Sequence, residues 1–142
     1  NRGVIKGKLG RFDEAIADFD RAIKMAPDSA QGYANRGLAK DFKKDYAGAI
    51  ADFNKAIELK PDFDKAYYNR GLTYRKLNDL NTSNRDFTDA IRYAPEMSDA
   101  YYYRGLNYLA LKQKDLACRD FENAARLGNI FAKSQFEMNC GR

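Results

Sequence analysis

Arg2, Arg36, Arg70 and Arg104 recur every 34 residues, and Asp18, Asp52, Asp86 and Asp120 recur at the same step. Each aspartate follows its arginine by 16 residues. A guanidinium is a planar fork of donors that meets a carboxylate with two parallel bonds. Two chemistries suit such a set. Either the four arginines form a row that captures an acidic ligand, or each arginine pairs with the aspartate of its own copy and fixes the register of two antiparallel helices. A matching Asp in every copy favours the internal pair, with Arg36 and Arg70 substantially buried.

Other chemistry is poorly supplied. The chain has no histidine, which removes the commonest general base and the commonest metal ligand. No nucleophile-elbow, phosphate-loop or HExxH pattern occurs. The reading is therefore non-catalytic, with no cofactor and no metal. Net charge is +5, and the 25 basic and 20 acidic residues are interleaved. With no block of like charge, the pattern does not call for nucleic acid. Mean hydropathy is −0.71, and no apolar run is long enough to span a bilayer.

The residues that position these pairs share the 34-residue step. Pro27, Pro61 and Pro95 keep it, as do Gly3, Gly37, Gly71 and Gly105, Phe19, Phe53, Phe87 and Phe121, and Ala22, Ala56, Ala90 and Ala124. A period of this length marks stacked repeats rather than one globular core. Within a copy, apolar residues step by three and four over two stretches of about 14 residues, and proline closes the second. The spacing predicts helices at about 1–10, 12–25, 30–43, 46–59, 64–77, 80–93, 98–112, 114–127 and 130–139. Recurrent glycine inside a helix costs roughly 1 kcal/mol, so it is expected where two backbones approach closely. Gly3, Gly37, Gly71 and Gly105 should face Ala15, Ala49, Ser83 and Ala117. The fold expected is all-α: stacked antiparallel helical hairpins in a solenoid, with residues 1–29 a partial first repeat, 30–63, 64–97 and 98–128 three more, and 129–142 a capping helix and tail.

The pattern Tyr-x-Asn-Arg-Gly followed by Ala-Ile-x-Asp-Phe-x-x-Ala-Ile-x-x-x-Pro, as it stands in the second copy, resembles the tetratricopeptide repeat. The resemblance covers residues 1–127. It departs locally at Lys40, where Tyr74 and Tyr108 stand in later copies, at Lys114, and at Gly128–Asn129 in place of the proline turn. It implies a right-handed solenoid whose first helices line a concave groove for a protein or peptide partner. Asn35, Leu38, Asp41 and Phe42 of the second copy, Lys65, Tyr68, Asn69, Leu72, Arg75 and Lys76 of the third, and Asp99, Tyr102, Leu106 and Leu109 of the fourth would then line it. In the competing reading, Tyr68 and Tyr102 only close seams between hairpins. Chaperone-binding members clamp a terminal carboxylate with two Asn, two Lys and an Arg. Here Asn35 and Lys65 fit, but Val4 and Asn69 stand where an Asn and the Arg belong. Leu38, Asp99 and Tyr103 fill the next frame, which argues against binding Hsp70 or Hsp90 tails. The rival to a peptide groove is self-assembly through the first repeat, where Val4, Ile5 and Leu9 leave an apolar face.

Cys118 and Cys140 flank the last turn, and reflection about Gly128–Ile130 places Cys118 opposite residues 139–141. They are either two ordinary thiols, as in a reducing cytosol, or a disulfide pinning the last helix. Phe131 and Phe136 are expected to pack on the fourth repeat, with Lys133 and Glu137 in water. The segment Ala117–Gly128 resembles the end of such arrays in some bacteria. The start at Asn1, in mid-repeat, reads as a fragment. Localisation stays open: cytoplasmic by default, exported if the disulfide forms.

Overall fold

The computed structural model describes the backbone of residues 2–140 and the side chains of residues 11–140. Eight helices make up the described residues: α1 Arg2–Met25, α2 Ala30–Phe42, α3 Tyr46–Leu59, α4 Asp64–Lys76, α5 Leu80–Tyr93, α6 Ser98–Ala110, α7 Lys114–Arg126 and α8 Ile130–Asn139. There is no strand among them. Consecutive helices pack as hairpins, α2 on α3, α4 on α5, α6 on α7, and each hairpin stacks on the next. The chain is an all-helical solenoid.

Each hairpin closes by one device. Lys44, Asn78 and Lys112 take left-handed backbone angles, with φ of 70°, 62° and 63°. The next residue then bonds backwards: Asp45 N–H to the Lys40 carbonyl at 2.8 Å, Asp79 to Tyr74 at 2.9 Å, Gln113 to Tyr108 at 2.8 Å. This satisfies carbonyls that a helix end leaves without partners. Asp45 and Asp79 also cap the following helix, accepting from the N–H of Gly48 and Thr82.

The first copy departs from this plan. Instead of two helices at 1–10 and 12–25, α1 runs unbroken from Arg2 to Met25. Arg11 stands where Asp45 and Asp79 stand, and its side chain has no acceptor for a helix N-terminus. The expected contact of Gly3 with Ala15 and the pair of Arg2 with Asp18 involve side chains outside the described ones. Asp18 instead pairs with Arg21, one turn along α1.

The core is a row of phenylalanines. Phe53, Phe87 and Phe121 are fully buried, each beside an equally buried alanine, Ala56, Ala90 or Ala124. The repeat glycines rest on these rings. A Cβ at Gly37, Gly71 or Gly105 would lie 2.9, 2.8 or 2.7 Å from the Phe53, Phe87 or Phe121 ring. The close approach is therefore ring to backbone rather than chiefly to the small residues at 49, 83 and 117. Ala49 and Ser83 still touch it: the Ala49 carbonyl is 3.1 Å from that position, and Ser83 Oγ donates to the Gly71 carbonyl at 2.7 Å.

Candidate functional site

Which face a ligand meets follows from the stacking. The first helices of neighbouring hairpins touch one another, α2 with α4 and α4 with α6, in addition to their hairpin partners. A layer whose members crowd together is the inner layer of a curved stack, so α2, α4 and α6 carry the concave face.

Arg36, Arg70 and Arg104 are not on offer to a ligand. Arg36 Nε and Nη2 donate to the two oxygens of Asp52, both at 2.8 Å. Arg70 does the same to Asp86 at 2.9 and 2.7 Å, and Arg104 to Asp120 at 2.8 Å twice. The third arm of each reaches back one hairpin, to Asp20 at 2.6 Å, Asn54 at 2.7 Å and Thr88 at 2.9 Å. A tyrosine ring lies 5.5–5.7 Å from each guanidinium: Tyr33, Tyr67 and Tyr101. The aspartates are the buried members; each arginine keeps about a fifth of its side chain exposed. Burial lifts the Asp86 and Asp120 carboxyls above the ordinary carboxylate range, and the arginine bonds offset only part of this. Lys40 joins the same cluster, 3.2 Å from Asp52. In the later copies Tyr108, at the matching place, lies 5.7 Å from the Arg104 guanidinium.

On the inner face, several expected groove residues are spent on one another. Asp41 is buried, accepting from Thr73 Oγ at 2.8 Å and Lys76 Nζ at 2.5 Å. Asp41 and Lys76 therefore neutralise each other between α2 and α4. Arg75 lies over the Tyr103 ring at 5.3 Å and donates to Asn107 Oδ1 at 3.1 Å. Asn107 is itself buried and donates to Ser83 Oγ and Asn84 Oδ1. Sequence reasoning missed this polar seam. Its signal was the row Ala39, Thr73, Asn107, where polar residues replace a buried alanine.

Both candidate tyrosines have packing duties. Tyr68 lies 5.9 Å from Phe87 and 6.3 Å from Tyr103, and burial pushes its phenol pKa up. Tyr102 meets Tyr103 edge-on at 5.1 Å and lies 6.3 Å from both Phe121 and Phe131. Leu72, Leu106 and Leu109 are only partly buried beside them. Asn69 is half-buried, and Lys65 and Asp99 are exposed. Asn35, Leu38 and Phe42 lie elsewhere. With Phe12, Ala15 and Phe19 they line an apolar recess of about 220 Å³ between α1 and α2, and the Phe12 and Phe42 rings stack at 5.3 Å.

At the far end, Cys118 and Cys140 are disulfide-bonded, with Cα atoms 5.8 Å apart. Ala132 is fully buried against Phe121 and Ala124, with Phe136 packed beside them. Phe131, expected to pack down, is 65% exposed. It falls one residue before the buried Ala132, which turns it about 100° off the packing face. Among the described residues, no group of three metal-ligating side chains occurs and no helix is long and apolar enough to cross a membrane.

No match was found among curated proteins. Among solved structures, a crystal structure of MamA is similar with a TM-score of 0.84 at 23% identity, covering 98% of this chain and 82% of that one. A crystal structure of MamA protein gives 0.76 at 25% identity, covering 89% and 68%. The first TPR of Spaghetti (RPAP3), bound to the HSP90 peptide SRMEEVD, gives 0.74 at 22% identity, covering 78% and 89%. Family profiles described as tetratricopeptide repeat match residues 1–29 and 68–129, and one described as TPR repeat matches residues 43–78. With its 34-residue anchors and stacked hairpins, the chain belongs to the tetratricopeptide repeat family, a fold that generally serves protein interaction.

Proposed function

We propose that the chain is a non-catalytic scaffold that receives a peptide or partner segment on its concave face, over α4 and α6. One observation carries this reading: Tyr68, Leu72, Tyr102 and Leu106 form a partly exposed apolar floor across two hairpins. Lys65 and Arg75 border it, and neither has a carboxylate partner among the described ion pairs. Fixed rings beside an exposed Lys65, and an Arg75 held by Asn107 and the Tyr103 ring, suit an extended or helical segment. Asn69 offers that segment a backbone partner. Lys76 contributes less than its sequence position suggests, because Asp41 already holds it.

The RPAP3 domain binds an HSP90 peptide; this chain's clamp set is incomplete, and the reading remains against a chaperone tail. Lys65→Glu and Leu72→Lys, both groove changes, should weaken capture of the physiological partner from source-cell extract, whereas Arg85→Glu on the exposed side of α5 should not. Equal capture by all three variants would place binding off this face.

A second reading is favoured by the recess between α1 and α2. Phe12, Phe19, Leu38 and Phe42 leave apolar surface there, which suits self-association through the first repeat. Light scattering decides: a monomer at all concentrations removes it.

A further inference from the structure

The last helix was expected to be a cap, and caps of repeat arrays present a polar outer face. α8 does not. Ile130, Phe131 and Met138 are 71%, 65% and 75% exposed.

The register of α8 explains why. Asn129 is its N-cap, accepting from the Ala132 N–H at 2.9 Å, so Ile130 begins α8 as Asp64 begins α4 and Ser98 begins α6. The third residues of these helices, Ala66, Ala100 and Ala132, are all fully buried. α8 therefore sits on α7 as α6 sits on α5 and α4 on α3. It occupies the place of a first helix, and its second and ninth residues fall in groove rows. The second-residue row reads Lys65, Asp99, Phe131, and the ninth-residue row reads Leu72, Leu106, Met138. Contacts along that line agree: Phe131 lies 6.3 Å from Tyr102, and Asn129 Nδ2 donates to Asp99 Oδ1 at 3.2 Å.

Resting on the concave-groove reading, we infer that α8 is the last wall of the groove, where Phe131 and Met138 take a large apolar side chain of the bound segment, and that the Cys118–Cys140 bond holds this wall in place. A ten-residue helix is marginal alone. α8 is fastened at one end by the Asn129 cap and at the other by Cys140, joined to Cys118 of α7. The occupant follows from charge and spacing. Lys65 on α4, exposed and in none of the described ion pairs, calls for a carboxylate; Phe131 and Met138 call for an aromatic or long aliphatic residue. Two helix-to-helix steps separate α4 from α8, about 20 Å in all, which an extended segment covers in about six residues. The groove thus selects an acidic residue about six positions from a large apolar one.

The probe is a displayed library of random 12-residue peptides, selected on the oxidised whole chain. Enriched peptides should carry that acidic–apolar spacing. Their affinity should fall at least tenfold in Lys65→Glu, in Phe131→Ser, and in the wild type treated with dithiothreitol, which reduces the bond to two thiols while itself becoming a cyclic disulfide. The double variant Cys118→Ser/Cys140→Ser should behave like the reduced protein and ignore dithiothreitol. Phe131 is exposed, so its variant should keep the wild-type circular dichroism. Enriched peptides that need Lys65 but bind Phe131→Ser and the reduced protein unchanged overturn the wall and leave the groove standing. If no peptide is enriched, or none needs Lys65, the groove reading falls, and the wall with it.

Discussion

Asp86 has both carboxylate oxygens taken up by one guanidinium, and that guanidinium reaches back a hairpin to Asn54. Removing the carboxylate leaves Arg70 charged, largely enclosed and without the partner of its fork. Asp86→Ala should cost about 3 kcal/mol, at the lower end for a broken buried pair because Arg70 keeps some solvent, read as a lower urea midpoint. Asn54→Ala removes one bond at an exposed end and should cost about 0.5–1 kcal/mol. In the seam between α2 and α4, Thr73→Val keeps the shape but takes a hydrogen bond from buried Asp41, a cost of about 1–2 kcal/mol. The 16-residue step from Arg to Asp was legible in the sequence because it repeats. The third arm was not, because its partners Asp20, Asn54 and Thr88 share an acceptor oxygen rather than an identity. The spent cation of Lys76 was hidden for another reason: its partner lies 35 residues away on another helix.

At the scale of the helix, turn and packing make opposite demands on glycine. Lys112 holds a left-handed φ of 63° with a side chain that disfavours it. Lys112→Gly should therefore raise stability by about 0.5–1 kcal/mol in the same urea titration. Gly71 lies inside α4, where alanine is the better helix former by roughly 1 kcal/mol. Yet a Cβ there would stand 2.8 Å from the fully buried Phe87 ring. Gly71→Ala should destabilise by about 1–3 kcal/mol, overpacking outweighing propensity. Helix positions from α2 to α8 were readable to within about two residues, since proline, glycine and the apolar step agree. The first copy was not readable in this way. Its 34-residue anchors imply a hairpin, but register alone does not supply the capping oxygen that Arg11 lacks. Tyr68 and Tyr102 show the same limit. Their row was visible, but their packing on Phe87, Tyr103 and Phe121 means that alanine there would disturb seams as well as any ligand.

Across the whole molecule, stability is nearly one-dimensional, because each hairpin touches only its neighbours. The repeat was legible from its 34-residue spacing, and the family resemblance from the residue pattern that fills each copy. The register of α8 was not, because α8 begins 32 residues after α6 begins, where α6 begins 34 after α4, and the shorter step breaks the period. The central claim is that the partner lies on the concave face. It is tested most directly by placing the photo-crosslinker p-benzoylphenylalanine at position 65 in the groove and, separately, at position 85 on the exposed side of α5, then irradiating each protein with its partner present. Crosslinking from position 65 and none from position 85 is the predicted result. Crosslinking from position 85 alone would contradict the account and place the partner outside the groove.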